Sequence, residues 1–274
     1  MGKRRQLAGS RVLVTGASQG IGRAIAKAAA QRGMKVLAVA RSESFLAQLA
    51  ADNPPIVALT ADITVAEDRR RMVETAQQAF GGIDILINNA GIGATGHFVE
   101  ASPERLRQIM EVNFFAAAEM IRAFLPLLRE GKNPAIVNIS SIAGKRAIPA
   151  RSEYSASKFA MEGFSQALRA ELVKWGIDVL LVAPGLTQTN FSENMIEQKA
   201  LMAVDHMRGM TAEAVADAAL NAIERGSNNT VLTVQGKLLT FVSRFFPRLA
   251  DRIAARKVRS LFREEIESRN GHNA

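Results

Sequence analysis

The chain has 274 residues, no cysteine, and 35 Lys/Arg against 26 Asp/Glu, a formal net charge of +9. That length suits one large domain able to bury its own core. The missing cysteines exclude a disulfide framework and a thiolate metal site. No run of about 18 apolar residues is present, and no signal-like apolar core precedes the first strand pattern, so a cytoplasmic location is expected.

Short apolar runs alternate with helix-length periodic segments along the chain. Strands are expected at 12–15, 36–40, 56–60, 85–88, 135–140, 178–183 and 230–234, and helices at 20–32, 66–80, 103–129, 152–175 and 211–225. Most of the strands are continuous apolar runs rather than alternating ones, as in a parallel sheet covered on both faces. The pattern predicts an α/β fold: a doubly wound, parallel, Rossmann-type sheet in a single domain over 1–236. Two stretches break the rhythm, 187–210 and everything beyond 236.

"VLVTGASQGIG" (12–22) joins the first strand to the first helix. Gly16, Gly20 and Gly22 permit a tight turn and close backbone approach, and the helix behind them offers free N–H groups to a pyrophosphate. The spacing is G-x-x-x-G-x-G, not the commoner G-x-G-x-x-G. The second strand ends in Ala40 followed by Arg41, where an acidic residue would accept from a free ribose 2′-hydroxyl. An arginine can instead pair with a 2′-phosphate. NADP(H) is therefore favoured, with NAD(H) open; the plainer reading of Arg41 is a solvated surface cation.

"SEYSASKFA" (152–160) carries the only tyrosine, Tyr154, with Lys158 four residues on and so on the same helix face. A free phenol has a pKa of about 10, and a nearby ammonium favours its ionised form. Ser140 and Ser141 close a strand, where ligands gather in doubly wound sheets. The three histidines, His97, His206 and His272, have no metal-ligand spacing, and no metal is expected.

Together, "TGASQGIG" (15–22), "ADIT" (61–64), "NNAG" (88–91), Asn113 in "EVNFF", "NISS" (138–141), "YSASK" (154–158) and Pro184-Gly185 resemble the short-chain dehydrogenases/reductases in their short, single-domain branch. The resemblance covers about residues 8–235. It implies that Tyr154 is the general acid in carbonyl reduction and the base in alcohol oxidation. Lys158 would lower the tyrosine's pKa and hold the nicotinamide ribose. Ser141, thirteen residues before Tyr154, would orient the substrate carbonyl, and Asn113 would anchor a relay water. Gly16, Ser18, Gln19, Gly20, Ile21 and Gly22 would surround the pyrophosphate side. Arg41 and Ser42 would meet the 2′-phosphate, and Asp62 and Ile63 the adenine. Asn89 and Gly91 would lie by the adenosine ribose region, and Pro184, Thr187 and Thr189 by the nicotinamide. Gln19 stands where many NADP-preferring relatives carry Lys or Arg. The implied activity is hydride transfer between nicotinamide and a carbonyl or secondary alcohol. The alternative is a catalytically silent dinucleotide-binding regulatory protein; Tyr154, Lys158, Ser141 and Asn113 together argue against it.

Residues 187–210 are expected to form a lid, and the four methionines in 190–210 suit an adaptable apolar pocket for a lipophilic substrate. Residues 237–274 form a basic amphipathic helical extension, with eight Lys/Arg and one Asp in 237–263. An anionic membrane surface, a second subunit of a homodimer or homotetramer, and the extension's own domain are its three candidate partners. No nucleic-acid motif accompanies the basic charge.

Overall fold

The computed structural model describes residues 4–189, 191, 195–198 and 209–261. In chain order the first half comprises β1 (Arg11–Thr15), α1 (Gly20–Gln31), β2 (Lys35–Ala40), α2 (Glu43–Asp52), β3 (Ile56–Thr60), α3 (Ala66–Phe80) and β4 (Ile85–Asn88). The second half comprises α4 (Pro103–Met110), α5 (Ala116–Arg129), β5 (Ala135–Ile139), α6 (Ser152–Leu172), β6 (Asp178–Ala183), β7 (Thr187–Gln188), β8 (Met210–Thr211), α7 (Ala212–Arg225), β9 (Asn229–Val231), α8 (Val234–Phe245) and α9 (Pro247–Leu261). Seven strands form one sheet in the order β3-β2-β1-β4-β5-β6-β9, all parallel, and β7 pairs with β8 apart from it.

The continuous apolar strand runs have a simple cause. Val12, Val14, Val36, Ala38, Ile85 and Ile87 point to one face, where α1 and α7 pack. Leu13, Leu37, Val39, Leu86 and Ile136 point to the other, against Met120, Phe124 and Leu128 of α5. Both faces of the central strands are dry, so no polar alternation survives there, whereas the edge strand β3 leaves Ala58 and Thr60 exposed. The order reverses between β1 and β4, and that reversal places a crevice at the strands' C-terminal ends.

Four expectations are corrected. α2 was not anticipated; it buries Leu46 and Leu49 under the β2–β3 edge. The helix expected over 103–129 is interrupted by one π turn, Glu111–Phe115. Asn113 sits in that turn and both donates to and accepts from the Ile92 backbone, a local distortion of the kind that marks functional sites. The last strand stops at Val231 rather than 234, because Thr233 caps α8 by accepting from the Gly236 N–H at 3.0 Å. The C-terminal extension is two helices: Pro247 cannot continue α8, and Phe246 before it leaves the helical region.

Candidate active site

The C-terminal ends of the central strands open onto a cleft of about 410 Å³. Gly16, Ser18, Gln19, Gly20, Ile21 and Gly22 line one end of it. The loop turns through left-handed backbone at Gly16, φ +66°. A Cβ at Gly22 would lie 2.2 Å from the Gly16 carbonyl oxygen and 2.4 Å from Asn89 Nδ2. The loop is thus pressed against the residues after β4. Thr15 Oγ1 accepts from the N–H groups of Asn89 and Ala90, both at 3.0 Å, and Asn89 Nδ2 donates to the Thr15 carbonyl at 2.9 Å. No side chain caps the start of α1, and its first turn carries no acidic residue. That leaves N–H groups and a positive dipole end for an anion.

Arg41 and Ser42, directly after β2, line the same cleft, as do Asp62 and Ile63 after β3. Arg41 is exposed and makes no ion pair among the described residues. The Asp62 carboxylate is engaged locally, accepting from the N–H and hydroxyl of Thr64. Asn89, Gly91, Pro184, Thr187 and Thr189 complete the wall toward the far end. Asn89, expected at a ribose, here braces the glycine loop with its amide.

The far end holds Ser141, Tyr154 and Lys158. The turn after β5 presents Ser141, whose Oγ accepts from the Ala143 N–H at 3.1 Å. Tyr154 and Lys158 project from one face of α6. Lys158 Nζ donates to the Ile139 carbonyl at 3.0 Å and lies 5.7 Å from the Tyr154 ring centroid. Asn113 does not line the cleft. It is buried behind it, donating to Ser157 Oγ at 3.0 Å, and a Cβ on Gly91 would lie 3.1 Å from its Oδ1. The small residue at 91 lets this amide approach the cleft wall. Asn88 is a bridge between strands, its Nδ2 donating to Asn138 Oδ1 at 2.9 Å.

The electrostatics correct one expectation. Burial pushes the Tyr154 phenol above its ordinary value, while a hydrogen bond from Ser141 and the charge of Arg151 pull it back down. Beside the expected Lys158, a second cation, Arg151, acts on it. Burial brings Lys158 down to about 8, against an upward pull from Glu162. Its ammonium is held by the Ile139 backbone carbonyl and lies beside the Tyr154 ring.

Arg151 was missed, although it stands three residues before Tyr154 at the N-cap position of α6. It lines the cleft, and desolvation lowers its own pKa. Phe191 was also missed; its ring packs 5.8 Å from that of Tyr154. No short-range pattern joins residues 154 and 191. Of the expected lid, 187–189, 191, 195–198 and 209–210 are described, and the remainder, with Met202 and Met207, lies outside the described residues. Residues 195–198 pair with the loop after β4: Thr95 N–H donates to the Glu197 carbonyl and Ile196 N–H to the Gly93 carbonyl.

Arg151→Met removes a charge that lowers the Tyr154 pKa, so that pKa rises. Wherever phenolate is the base, the ascending limb of the pH–rate profile should move to higher pH. An unmoved limb in the variant contradicts that coupling.

The profile of the short chain dehydrogenase family matches residues 10–200. The chain belongs to the short-chain dehydrogenase/reductase family and is an oxidoreductase with a Rossmann-type fold. It is 34% identical over 259 residues to ketoacyl reductase HetN of Nostoc sp., covering 90% of this chain and 88% of that protein. It is 38% identical over 183 residues to a 3-ketodihydrosphingosine reductase of Bacteroides thetaiotaomicron, covering 67% and 66%. Among solved structures, a short chain dehydrogenase from Burkholderia cenocepacia in complex with NADP superimposes with a TM-score of 0.80 at 30% identity, over 91% of this chain and 99% of that one.

Proposed function

We propose that this oxidoreductase prefers NADP(H) and interconverts a lipophilic ketone or aldehyde with its alcohol, Tyr154 exchanging the proton. The observation that carries the reading is one cleft lined at one end by an uncapped helix N-terminus and Arg41, which makes no ion pair among the described residues, and at the other by Ser141, Tyr154 and Lys158.

The residues present fit a dinucleotide. A side chain at Gly22 would collide with the Gly16 backbone, so that part of the loop leaves its own backbone close to the cleft. Gly16, Ser18, Gln19, Gly20, Ile21 and Gly22 would hold the pyrophosphate side, and Arg41 and Ser42 the 2′-phosphate. Asp62 and Ile63 would take the adenine, and Asn89 and Gly91 the adjoining ribose. Tyr154 and Lys158 would hold the nicotinamide ribose, with Pro184, Thr187 and Thr189 by the ring. A bound nicotinamide dinucleotide supplies the hydride donor for reduction and the acceptor for oxidation.

In reduction, Ser141 donates a hydrogen bond to the substrate carbonyl oxygen and Tyr154 delivers its proton there. In oxidation the phenolate takes the alcohol proton, and the charge of Arg151 favours that phenolate. Asn113 holds the Ile92 backbone and Ser157 beneath Lys158 and so fixes the wall carrying both groups. Ile148, Leu186 and Phe191 give the far end an apolar lining, which suits a lipophilic substrate. Two relatives are named for ketones on acyl or sphingoid chains, in line with that class. A cytoplasmic homo-oligomer acting on a small molecule completes the reading.

Calorimetric titration with NADPH and, separately, NADH tests the cofactor half. NADPH should bind at least about tenfold tighter, and Arg41→Ala should erase most of that margin, as expected for a charge-assisted phosphate contact. Equal affinities in the parent protein contradict the selectivity assigned to Arg41.

A further inference from the structure

α8 is amphipathic in the inverted sense. Its inward side carries Gly236, Thr240 and Ser243, small or polar residues. Its outward stripe carries Val234, Leu238, Phe241 and Phe245, spaced i, i+4, i+7 and i+11 and so within about 60° of one another around the axis. These four are 81%, 62%, 53% and 61% exposed. Phe246 at the corner is exposed too, and the Phe241 ring lies 4.8 Å from that of Phe245 and 6.4 Å from that of Phe246. A helix meant only to pack on its own domain would be turned the other way.

α9 adds charge beside this ridge. It packs inward through Ala250, while Arg248, Arg252, Arg256 and Arg259 form one stripe, bordered by exposed Leu249 and Ile253. None of these arginines is in an ion pair among the described residues. The one acid of the pair of helices, Asp251, is taken by Arg146 of the main body. α8 is also rooted at the cleft: Thr233 lies against Gly185, and a Cβ on Gly236 would lie 3.0 Å from Ile142. Gly185 and Ile142 both line the cleft.

We infer that α8 and α9 form a docking face for an anionic bilayer surface. The phenylalanine ridge would enter the headgroup–acyl boundary and the arginine stripe would meet lipid phosphates. Charge decides between a bilayer and a second copy of this chain. Residues 234–261 carry seven Lys/Arg and one Asp, which is paired with Arg146, so among the described residues a self-paired face brings cations to cations with no further acid between them. A bilayer supplies both the hydrocarbon and the counter-charge. Among the described residues no helix is long and apolar enough to cross a membrane, so the pair lies on the surface. Docking here sets the cleft mouth beside the lipid. The face stands apart from the cofactor assignment, because no residue of the ridge or stripe lines the cleft.

The test is co-sedimentation of the full chain with unilamellar vesicles of phosphatidylcholine, alone or with about one-third phosphatidylglycerol. The expected result is binding to the anionic vesicles only, released by salt on the order of 0.5 M. Arg252→Gln with Arg256→Gln should weaken that binding on the order of 30-fold. Phe241→Ser with Phe245→Ser should weaken it at least about tenfold, with thermal midpoint and light-scattering mass unchanged in both variants. Absent binding to anionic vesicles overturns the proposal, as does unaltered binding in both variants. A light-scattering mass that drops in the phenylalanine variant assigns the face to a second copy and overturns it as well.

Discussion

Tyr154→Phe should lower turnover about a thousandfold while leaving dinucleotide affinity within about threefold of the parent. The phenyl ring keeps the shape and the packing against Phe191. What it loses is the hydroxyl that lines the cleft with Ser141, the group assigned to pass a proton to a substrate oxygen. Lys158 is not expected to take over, since its ammonium is bound to the Ile139 carbonyl. The expected signature is therefore a fall in kcat with normal cofactor titration. Near-parental turnover would remove Tyr154 from the chemistry.

Gly22→Ala should be the most damaging single methyl in the molecule. The added carbon would sit 2.2 Å from the Gly16 carbonyl oxygen and 2.4 Å from Asn89 Nδ2. Neither neighbour is free to yield. Gly16 is held in left-handed backbone, and Asn89 is fixed by hydrogen bonds to Thr15. The loop must open or the start of α1 must shift, at a cost of about 3 kcal/mol. That corresponds to a thermal midpoint lower by roughly 5–10 °C. Dinucleotide affinity should fall at least about a hundredfold, because the backbone N–H groups of this turn no longer converge. A variant with parental midpoint and parental NADPH affinity would show that the loop relaxes freely.

The sheet was legible because a parallel sheet between two helix layers leaves its mark on the central strands. Leu13 and Val14 face opposite layers, yet both are fully buried, and the chain records this as an unbroken apolar run. α2 left a weaker trace, since only Leu46 and Leu49 of its ten residues are buried. The end of β9 was misread because Leu232 and Val234 extend its apolar run, whereas the Thr233 cap decides the backbone. The π turn was not readable at all. It exists because Asn113 bonds to Ile92, a partner 21 positions away.

The site divides along the same line. Residues 16–22 and the pair 154 and 158 are near neighbours in sequence, and their chemistry follows from spacing. The placing of Ser42, Asp62, Gly91, Pro184, Thr187 and Thr189 around one cleft rested on resemblance, since they come from beyond the ends of four different strands of the sheet. What tunes Tyr154 was out of reach of spacing. A Y-x-x-x-K pattern suggests an ammonium by the phenol, but the burial of both groups, the hold of the Ile139 carbonyl on Lys158 and the added charge of Arg151 are not written in that spacing. The outward ridge of α8 shows the converse. Its apolar periodicity was plain, but whether it faced in or out required the inward contacts of Gly236.

The most direct test of the account follows the transferred hydrogen. The protein is incubated with NADPH carrying deuterium at the transferable nicotinamide position and a panel of long-chain ketones and keto esters, and the alcohols are analysed by mass spectrometry. The account predicts one deuterium on the carbinol carbon of at least one lipophilic product, formed by the parent protein and lost in Tyr154→Phe. Unlabelled products throughout, or no NADPH consumed across the panel by protein that binds the dinucleotide, would contradict it.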